Sequence, residues 1–165
     1  MQSKAIFFDR DNTLIIDSNY MHKLEDLRFY DDTFSALKKI QNKGYLLFIV
    51  TNQSGIGRGY FTVQQMQQFN QLMLNKLSEQ EIEIKDIVFC PHAPEDNCDC
   101  RKPSPKLIND LIEKYNIDKE TSFMVGDKLS DAEAGSNAGI KGILIKKEDE
   151  RFKTFQNLTE FADSL

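Results

Sequence analysis

Five short apolar runs, each closed by a polar or turn-forming residue, constrain this chain more than any other feature. They are KAIFFD (4–9), YLLFIVTN (45–52), DIVFC (86–90), SFMVGD (122–127) and GILI (142–145). Each run is continuous rather than alternating, the pattern of a strand buried on both faces. The segments between them carry helical spacing. Phe34, Leu37 and Ile40 share one face, behind Asp31 and Asp32, which suit a helix N-terminus. Thr62 can cap a helix running to about Leu77, with Val63, Met66, Phe69, Met73 and Leu77 turned inward. Residues 104–116 and 129–138 read as shorter helices, and Leu158 with Phe161 marks a C-terminal one. Strands alternating with helices predict an α/β fold in three layers, a central parallel sheet with helices on both faces. No repeat, low-complexity tract or interdomain linker interrupts the pattern, so residues 1–165 are expected to form a single domain.

The formal charge of -5 argues against a nucleic-acid-binding surface, which needs a basic face, but leaves room for a local phosphate site. No apolar run approaches the roughly 20 residues of a membrane-spanning helix. Only Ala5–Phe8 separates Lys4 from the charged Asp9-Arg10-Asp11, too little for a signal peptide. A cytoplasmic protein without membrane or nucleic-acid partners is expected. In that compartment cysteines more often bind metal or catalyse than form disulfides.

Three strands end in polar residues: Asp9, Thr51-Asn52 and Asp127. Open parallel sheets bind ligands beyond the carboxyl ends of their strands, so these ends propose one shared site. Asp9 and Asp11 lie at i and i+2, on one side of an extended chain. Paired carboxylates suit Mg2+ binding, or a division between nucleophile and acid/base. Alone, the pair reads more readily as turn caps; a second acidic strand end at Asp127, followed by Asp131, strengthens the site reading. An ordinary helix N-terminus would also favour aspartate there. The stretch 50–59, VTNQSGIGRG, offers Thr51, Asn52, Gln53, Ser54 and three glycines to phosphate oxygens, with Arg58 as a further anion contact. It lacks the Gly-Lys-Ser/Thr ending of a P-loop, and a mobile surface loop has the same composition.

The chain's 3 cysteines, Cys90, Cys98 and Cys100, and His92, one of its 2 histidines, fall within CPHAPEDNCDCRKP (90–103). Three thiolates and one imidazole complete a tetrahedral Zn2+ set with no open position, the arrangement of a structural site. The spacing is not the Cys-x2-Cys of zinc fingers, and reduced, unliganded thiols are the alternative. Glu95, Asp96 and Asp99 are expected as solvated loop charges, since oxygen donors match this soft set poorly.

Taken together, these segments resemble the haloacid dehalogenase superfamily of aspartate-based phosphotransferases. Asp9-Arg10-Asp11-Asn12-Thr13 is similar to its first motif, Thr51 to its second, Lys102 to its third, and Gly126-Asp127 with Asp131 to its fourth. The likeness runs from residue 5 to about 145. It implies a Mg2+-dependent phosphatase without a large cap domain. Asp9 would be the nucleophile that becomes an aspartyl-phosphate, and Asp11 the acid/base. Thr51 and Lys102 would hold phosphoryl oxygens. Asp9, Asp127 and the backbone carbonyl of Asp11 would hold Mg2+. Asp131 would orient Lys102 or support the metal, and Lys128 would reach the substrate. One departure is Asn12, where the family usually has Gly; Asn tolerates positive φ, so the turn is expected to survive.

Within the superfamily the cysteine loop is similar to those of two capless phosphatase groups, acting on heptose 1,7-bisphosphate and on histidinol phosphate. The tight Cys98-x-Cys100 spacing matches the second group. Residues 17–32 and 52–62 match the first, and two long segments outweigh one loop length. The resemblance thus implies a phosphorylated sugar as substrate. Asp17, Ser18, Asn19, Tyr20, Asn52, Gln53, Ser54 and Arg58 would surround it, with Arg101 on its distal phosphate or sugar. The missing cap implies a monomer, and the zinc would clamp Arg101 and Lys102 against the phosphate. His22 is expected to be a surface loop residue.

Overall fold

The structure, a computed structural model, describes residues 1–165 and contains one parallel sheet of six strands. These are β1 (Ala5–Phe8), β2 (Leu46–Asn52), β3 (Ile84–Cys90), β4 (Phe123–Gly126), β5 (Lys141–Ile145) and β6 (Lys153–Phe155), in the spatial order β3-β2-β1-β4-β5-β6. The helices are α1 (Thr33–Asn42), the short α2 (Ser54–Gly57), α3 (Val63–Glu79), α4 (Lys106–Tyr115), α5 (Leu129–Asn137) and α6 (Leu158–Ser164).

The two central strands, β1 and β4, are apolar throughout because both of their faces are covered. Side chains alternate along a strand. Ile6 and Phe8 therefore join Leu47, Ile49, Val125 and Ile143 against Leu37, Phe69, Met73 and Phe161 of α1, α3 and α6. Ala5 and Phe7 join Phe48, Val50 and Met124 on the opposite face, against Ile108 and Leu111 of α4 and Ala134 of α5. The three-layer α/β expectation is met. Thr62 caps α3 as its chemistry suggests: its hydroxyl oxygen accepts from Gln65 N at 3.1 Å, and Gln65 Oε1 accepts from Thr62 N at 2.9 Å. This reciprocal pair satisfies two otherwise unpaired helix-end donors.

Three features depart from the sequence reading. β6 was not expected, because Lys153-Thr154-Phe155 is short and lacks an apolar run. The glycine-rich stretch after Gln53 forms α2 rather than an open loop. Val63 is 37% exposed rather than turned inward. It begins α3, and helical side chains lean toward the N-terminus, so it projects past the helix start.

The sheet order reverses between β1 and β4: the chain moves outward from β1 through β2 and β3, then returns to the other side of β1. Phe8 pairs with Ile49 of β2 and with Val125 of β4. That register brings Asp9, Thr51 and Asp127 to neighbouring strand ends at the reversal point, where open α/β sheets form their binding crevice. No helix is long and apolar enough to cross a membrane.

The β6–α6 unit contributes Phe161, which is 1% exposed and lies 5.6 Å, ring to ring, from both Phe123 and Phe155. Phe161→Ala is expected to cost about 3–5 kcal/mol in urea denaturation. A loss below about 1 kcal/mol would mean that this edge of the sheet is dispensable.

Candidate active site and cysteine cluster

Lys102 sits at the centre of the strand-end site and is almost fully buried. Its ammonium donates to Asp9 Oδ1 at 2.8 Å and to the Val50 carbonyl at 2.7 Å, and lies 2.6 Å from Asp131 Oδ1. All three of its donors are therefore used. Asn52 fixes the Lys102 backbone, its Oδ1 accepting from Lys102 N at 3.1 Å. Asp131 reaches Lys102 from the first turn of α5, and its other oxygen accepts from Lys128 N at 3.1 Å. Gly126 makes this approach possible, since a Cβ there would overlap the Asp131 carboxylate. Asp131 therefore orients Lys102.

Carboxylate oxygens of Asp9, Asp127 and Asp131 lie within 4.8 Å of one another. One ammonium does not balance three carboxylates. Burial first, and then the Asp131 charge, push Asp9 up to about 6 despite the pull of Lys102. Burial and then Asp9 push Asp127 up to about 6 as well. Burial acts to lower Lys102, but Asp131 and Asp9 outweigh it and hold the ammonium above the usual lysine range. Asp127 Oδ1 is buried with no hydrogen-bond partner. An excess of hard oxygen donors, crowded and in one case unpartnered, fits a divalent cation such as Mg2+. The Asp11 side chain takes no part in this cluster, which leaves its backbone carbonyl as the expected ligand.

Asp11 is turned toward Arg10 and Gln53. Its Oδ1 accepts from Arg10 Nε at 2.9 Å, and its Oδ2 from Arg10 Nη2 at 3.3 Å and Gln53 Nε2 at 3.1 Å. Gln53, expected to contact substrate, is buried and also donates to Thr51 Oγ1 at 2.8 Å. One amide thus ties the Thr51 hydroxyl to the Asp11 carboxylate. Asp9, Asp11, Asn52, Lys102, Lys128, Ser130 and Asp131 line a cavity of about 30 Å3, room for an ion or water but not a sugar ring. Ser130 was missed; its place in the first turn after Asp127 was the available signal.

The remaining expected contacts lie on three touching loops. Asp17 is half-buried, whereas Ser18, Asn19 and Tyr20 are exposed. Tyr20 packs edge-on to Tyr60 at 4.8 Å, and His22 stacks on Phe61 at 5.1 Å, a surface role as expected. Gly55 lies so close to Phe61 and Tyr20 that any Cβ would overlap the Phe61 ring, which explains a glycine inside α2. On its other side the α2 loop joins the cysteine loop through Gly57 N to the Pro91 carbonyl at 2.8 Å and Arg58 to Glu95 at 3.3 Å. Arg58 is thus partnered, and Ser54 begins α2. Arg101 is half-buried, and its Nη1 is buried without a partner. Asn12 does adopt positive φ, at 63°. Its side-chain oxygen accepts from Asp17 N and from the Tyr30 hydroxyl, each at 3.2 Å, so the residue that replaces Gly ties the turn to the 17–20 loop.

Cys90 ends β3, and its sulfur lies 3.5 Å from both His92 Nδ1 and Cys98 Sγ. His92 Nδ1 is 3.4 Å from Cys100 Sγ, and the Cys90 and Cys100 sulfurs touch. All four ligand atoms lie within 4.8 Å of one another. A disulfide between two of them would not require the third sulfur and the imidazole to converge as well. Asp96 is not a ligand; its carboxylate accepts from Ala93 N at 2.8 Å and closes the loop. Three sulfurs and one nitrogen around a point are compatible with zinc.

Comparison with known proteins places this geometry among relatives. Residues 6–145 match the family model described as haloacid dehalogenase-like hydrolase. The D-glycero-beta-D-manno-heptose-1,7-bisphosphate 7-phosphatase of Haemophilus ducreyi is 48% identical over 148 residues, 86% of this chain and 81% of the relative. The D-glycero-alpha-D-manno-heptose-1,7-bisphosphate 7-phosphatase of Campylobacter jejuni is 39% identical over 167 residues, 99% of this chain and 96% of the relative. The crystal structure of D,D-heptose 1.7-bisphosphate phosphatase from B. bronchiseptica, complexed with magnesium and phosphate, superposes with a TM-score of 0.90 at 26% identity, covering 98% and 97% of the two chains.

The crowded carboxylates give a signed pH dependence. Asp9 and Asp127 rise from 3.8 to about 6 on folding, so between those values the folded chain holds more protons than the unfolded. Their contribution to metal-free stability is therefore lost as pH rises from about 4 to about 6. Urea midpoints of the metal-free protein and of Asp127→Asn, compared across that window, isolate the effect. The variant is expected to gain on the parent as pH rises, and Mg2+ is expected to close the gap. A constant difference would contradict the crowding.

Proposed function

This chain belongs to the haloacid dehalogenase-like hydrolase family, and from that premise we propose that it is a phosphatase removing one phosphate from D-glycero-D-manno-heptose 1,7-bisphosphate. The observation that carries the substrate is the likeness, at 39–48% identity over most of both chains, to relatives named for that activity. The geometry supports the chemistry independently: a nucleophile-type aspartate, a lysine and a second acidic strand end meet at the sheet's reversal point.

Asp9 attacks the phosphorus, forming an aspartyl-phosphate as the bond to the sugar oxygen breaks. Asp11 gives its proton to the departing alkoxide. Water then attacks the same phosphorus and passes its proton to Asp11, which restores both residues and releases phosphate. Thr51 and Lys102 hold the transferring oxygens, and Lys102 keeps Asp9 oriented. Mg2+, held by Asp9, Asp127 and the Asp11 backbone carbonyl, would neutralise charge between carboxylate and phosphate. Arg101, whose Nη1 lacks a protein partner, takes the substrate's distal phosphate or hydroxyls. Lys128, Asn52, Ser54 and residues 17–20 bound the sugar. Arg58 contributes by bracing the cysteine loop through Glu95.

Residues 1–165 act as a single domain and a monomer in the cytoplasm, where reduced thiols favour metal over disulfide. Cys90, His92, Cys98 and Cys100 hold a structural Zn2+ that fixes the loop carrying Arg101 and Lys102.

Phosphate release from heptose 1,7-bisphosphate and from histidinol phosphate, side by side, tests the substrate. The heptose compound is expected to turn over faster with Mg2+ and to stall with chelator; preference for histidinol phosphate would overturn the assignment. Asp9→Asn is expected to abolish release without unfolding the chain. Cys100→Ser is expected to lower kcat/KM by about tenfold or more, as loss of a supporting shell does, while Mg2+ affinity stays within about twofold. Equal loss of both would mean that the two metal sites are not separate.

A further inference from the structure

Arg10 lies between the nucleophile and the acid/base in sequence, yet its side chain points into the core and is 1% exposed. Burying a guanidinium is costly, and an apolar residue of similar size would avoid the cost. Arg10 has one charged partner. Its Nε meets Asp11 Oδ1 at 2.9 Å, and its Nη2 meets Oδ2 at 3.3 Å. The far end of the guanidinium is seated by α3: Nη1 donates to Asn70 Oδ1 at 2.9 Å, and the group lies 4.8 Å over the Phe69 ring. Asn70 is itself buried on the apolar face of α3. The burial thus serves a single line of contacts, from α3 through the guanidinium to the carboxyl of Asp11.

We infer that Arg10, seated by Asn70 and Phe69, is the positioning residue that aims the Asp11 carboxyl at the leaving-group oxygen. This rests on the reading of Asp11 as the acid/base. A planar fork holds a carboxylate in one plane, which a lysine does not. Oδ1 accepts from Arg10 Nε at 2.9 Å, and Oδ2 accepts from Arg10 Nη2 at 3.3 Å and Gln53 Nε2 at 3.1 Å, so both oxygens and hence the carboxyl plane are fixed. Asn70 prevents the guanidinium from turning with the carboxyl. The Arg10 side chain bonds to Asp11 and Asn70 and not to Asp9, Asp127 or Asp131, so it acts through Asp11.

A leaving-group comparison separates this role from a structural one. An alkyl phosphate needs a proton at its departing oxygen, whereas 2,4-dinitrophenyl phosphate expels a stable phenolate without one. The readout is kcat/KM, which covers only the steps through formation of the aspartyl-phosphate. Asp11→Asn is expected to lose about 100- to 10,000-fold on the alkyl ester and far less on the aryl ester. Asn70→Ala and Arg10→Lys are expected to lose about 10- to 100-fold on the alkyl ester and to stay within about twofold on the aryl ester. Equal losses on both esters, or no loss, would overturn the positioning role. If Arg10→Lys does not fold, Asn70→Ala decides alone. A parent protein without turnover, or an Asp11→Asn variant without the leaving-group split, would instead remove the acid/base reading and this inference with it.

Discussion

The buried ammonium of Lys102 is the contact on which the rest of the site depends. It joins the end of β1 through Asp9, the end of β2 through the Val50 carbonyl, and α5 through Asp131, from a position on the cysteine loop. A lysine with all three donors engaged at 2.6–2.8 Å has one geometry, so the four segments are placed relative to one another by a single group. The balance of charge is left incomplete. Asp131 neutralises Lys102, Asp9 is shared, and Asp127 stands nearby with an unpartnered oxygen. This excess of oxygen donors fits a divalent cation.

The chain carries no large cap, and three loops brace one another. The 17–22 loop packs on Tyr60 and Phe61, and the α2 segment packs on Tyr20. α2 in turn donates from Gly57 to the Pro91 carbonyl of the cysteine loop. At the outer loop three sulfurs and an imidazole converge, a set compatible with a zinc ion that would fix it.

Much of this was legible in the chain itself, for physical reasons. Strands buried on both faces must be continuously apolar, so β1, β2, β4 and β5 announce themselves, and the polar residues at the ends of β1, β2 and β4 mark the site; β3, at the sheet edge, shows through its run at residues 87–90. The cysteine cluster was legible because soft ligands are rare in this chain and all gathered in one loop. β6 was not, since three residues at a sheet edge need no apolar run. α2 was hidden because glycines that signal a loop also permit close packing, as Gly55 does against Phe61. Gln53 and Arg10 were hidden most deeply: polarity suggests exposure, and only the fold shows that both are buried around Asp11. Asn12 was visible as a departure from the family pattern, but its bonds to Asp17 and Tyr30 were not.

The central claim is that Asp9, held by Lys102, attacks phosphorus itself rather than activating water. The stereochemical course at phosphorus tests this most directly, using a chiral phosphorothioate monoester hydrolysed in isotopically labelled water. Two in-line displacements, first by Asp9 and then by water, predict net retention of configuration. Net inversion would mean a single direct attack by water and would contradict the role assigned to Asp9.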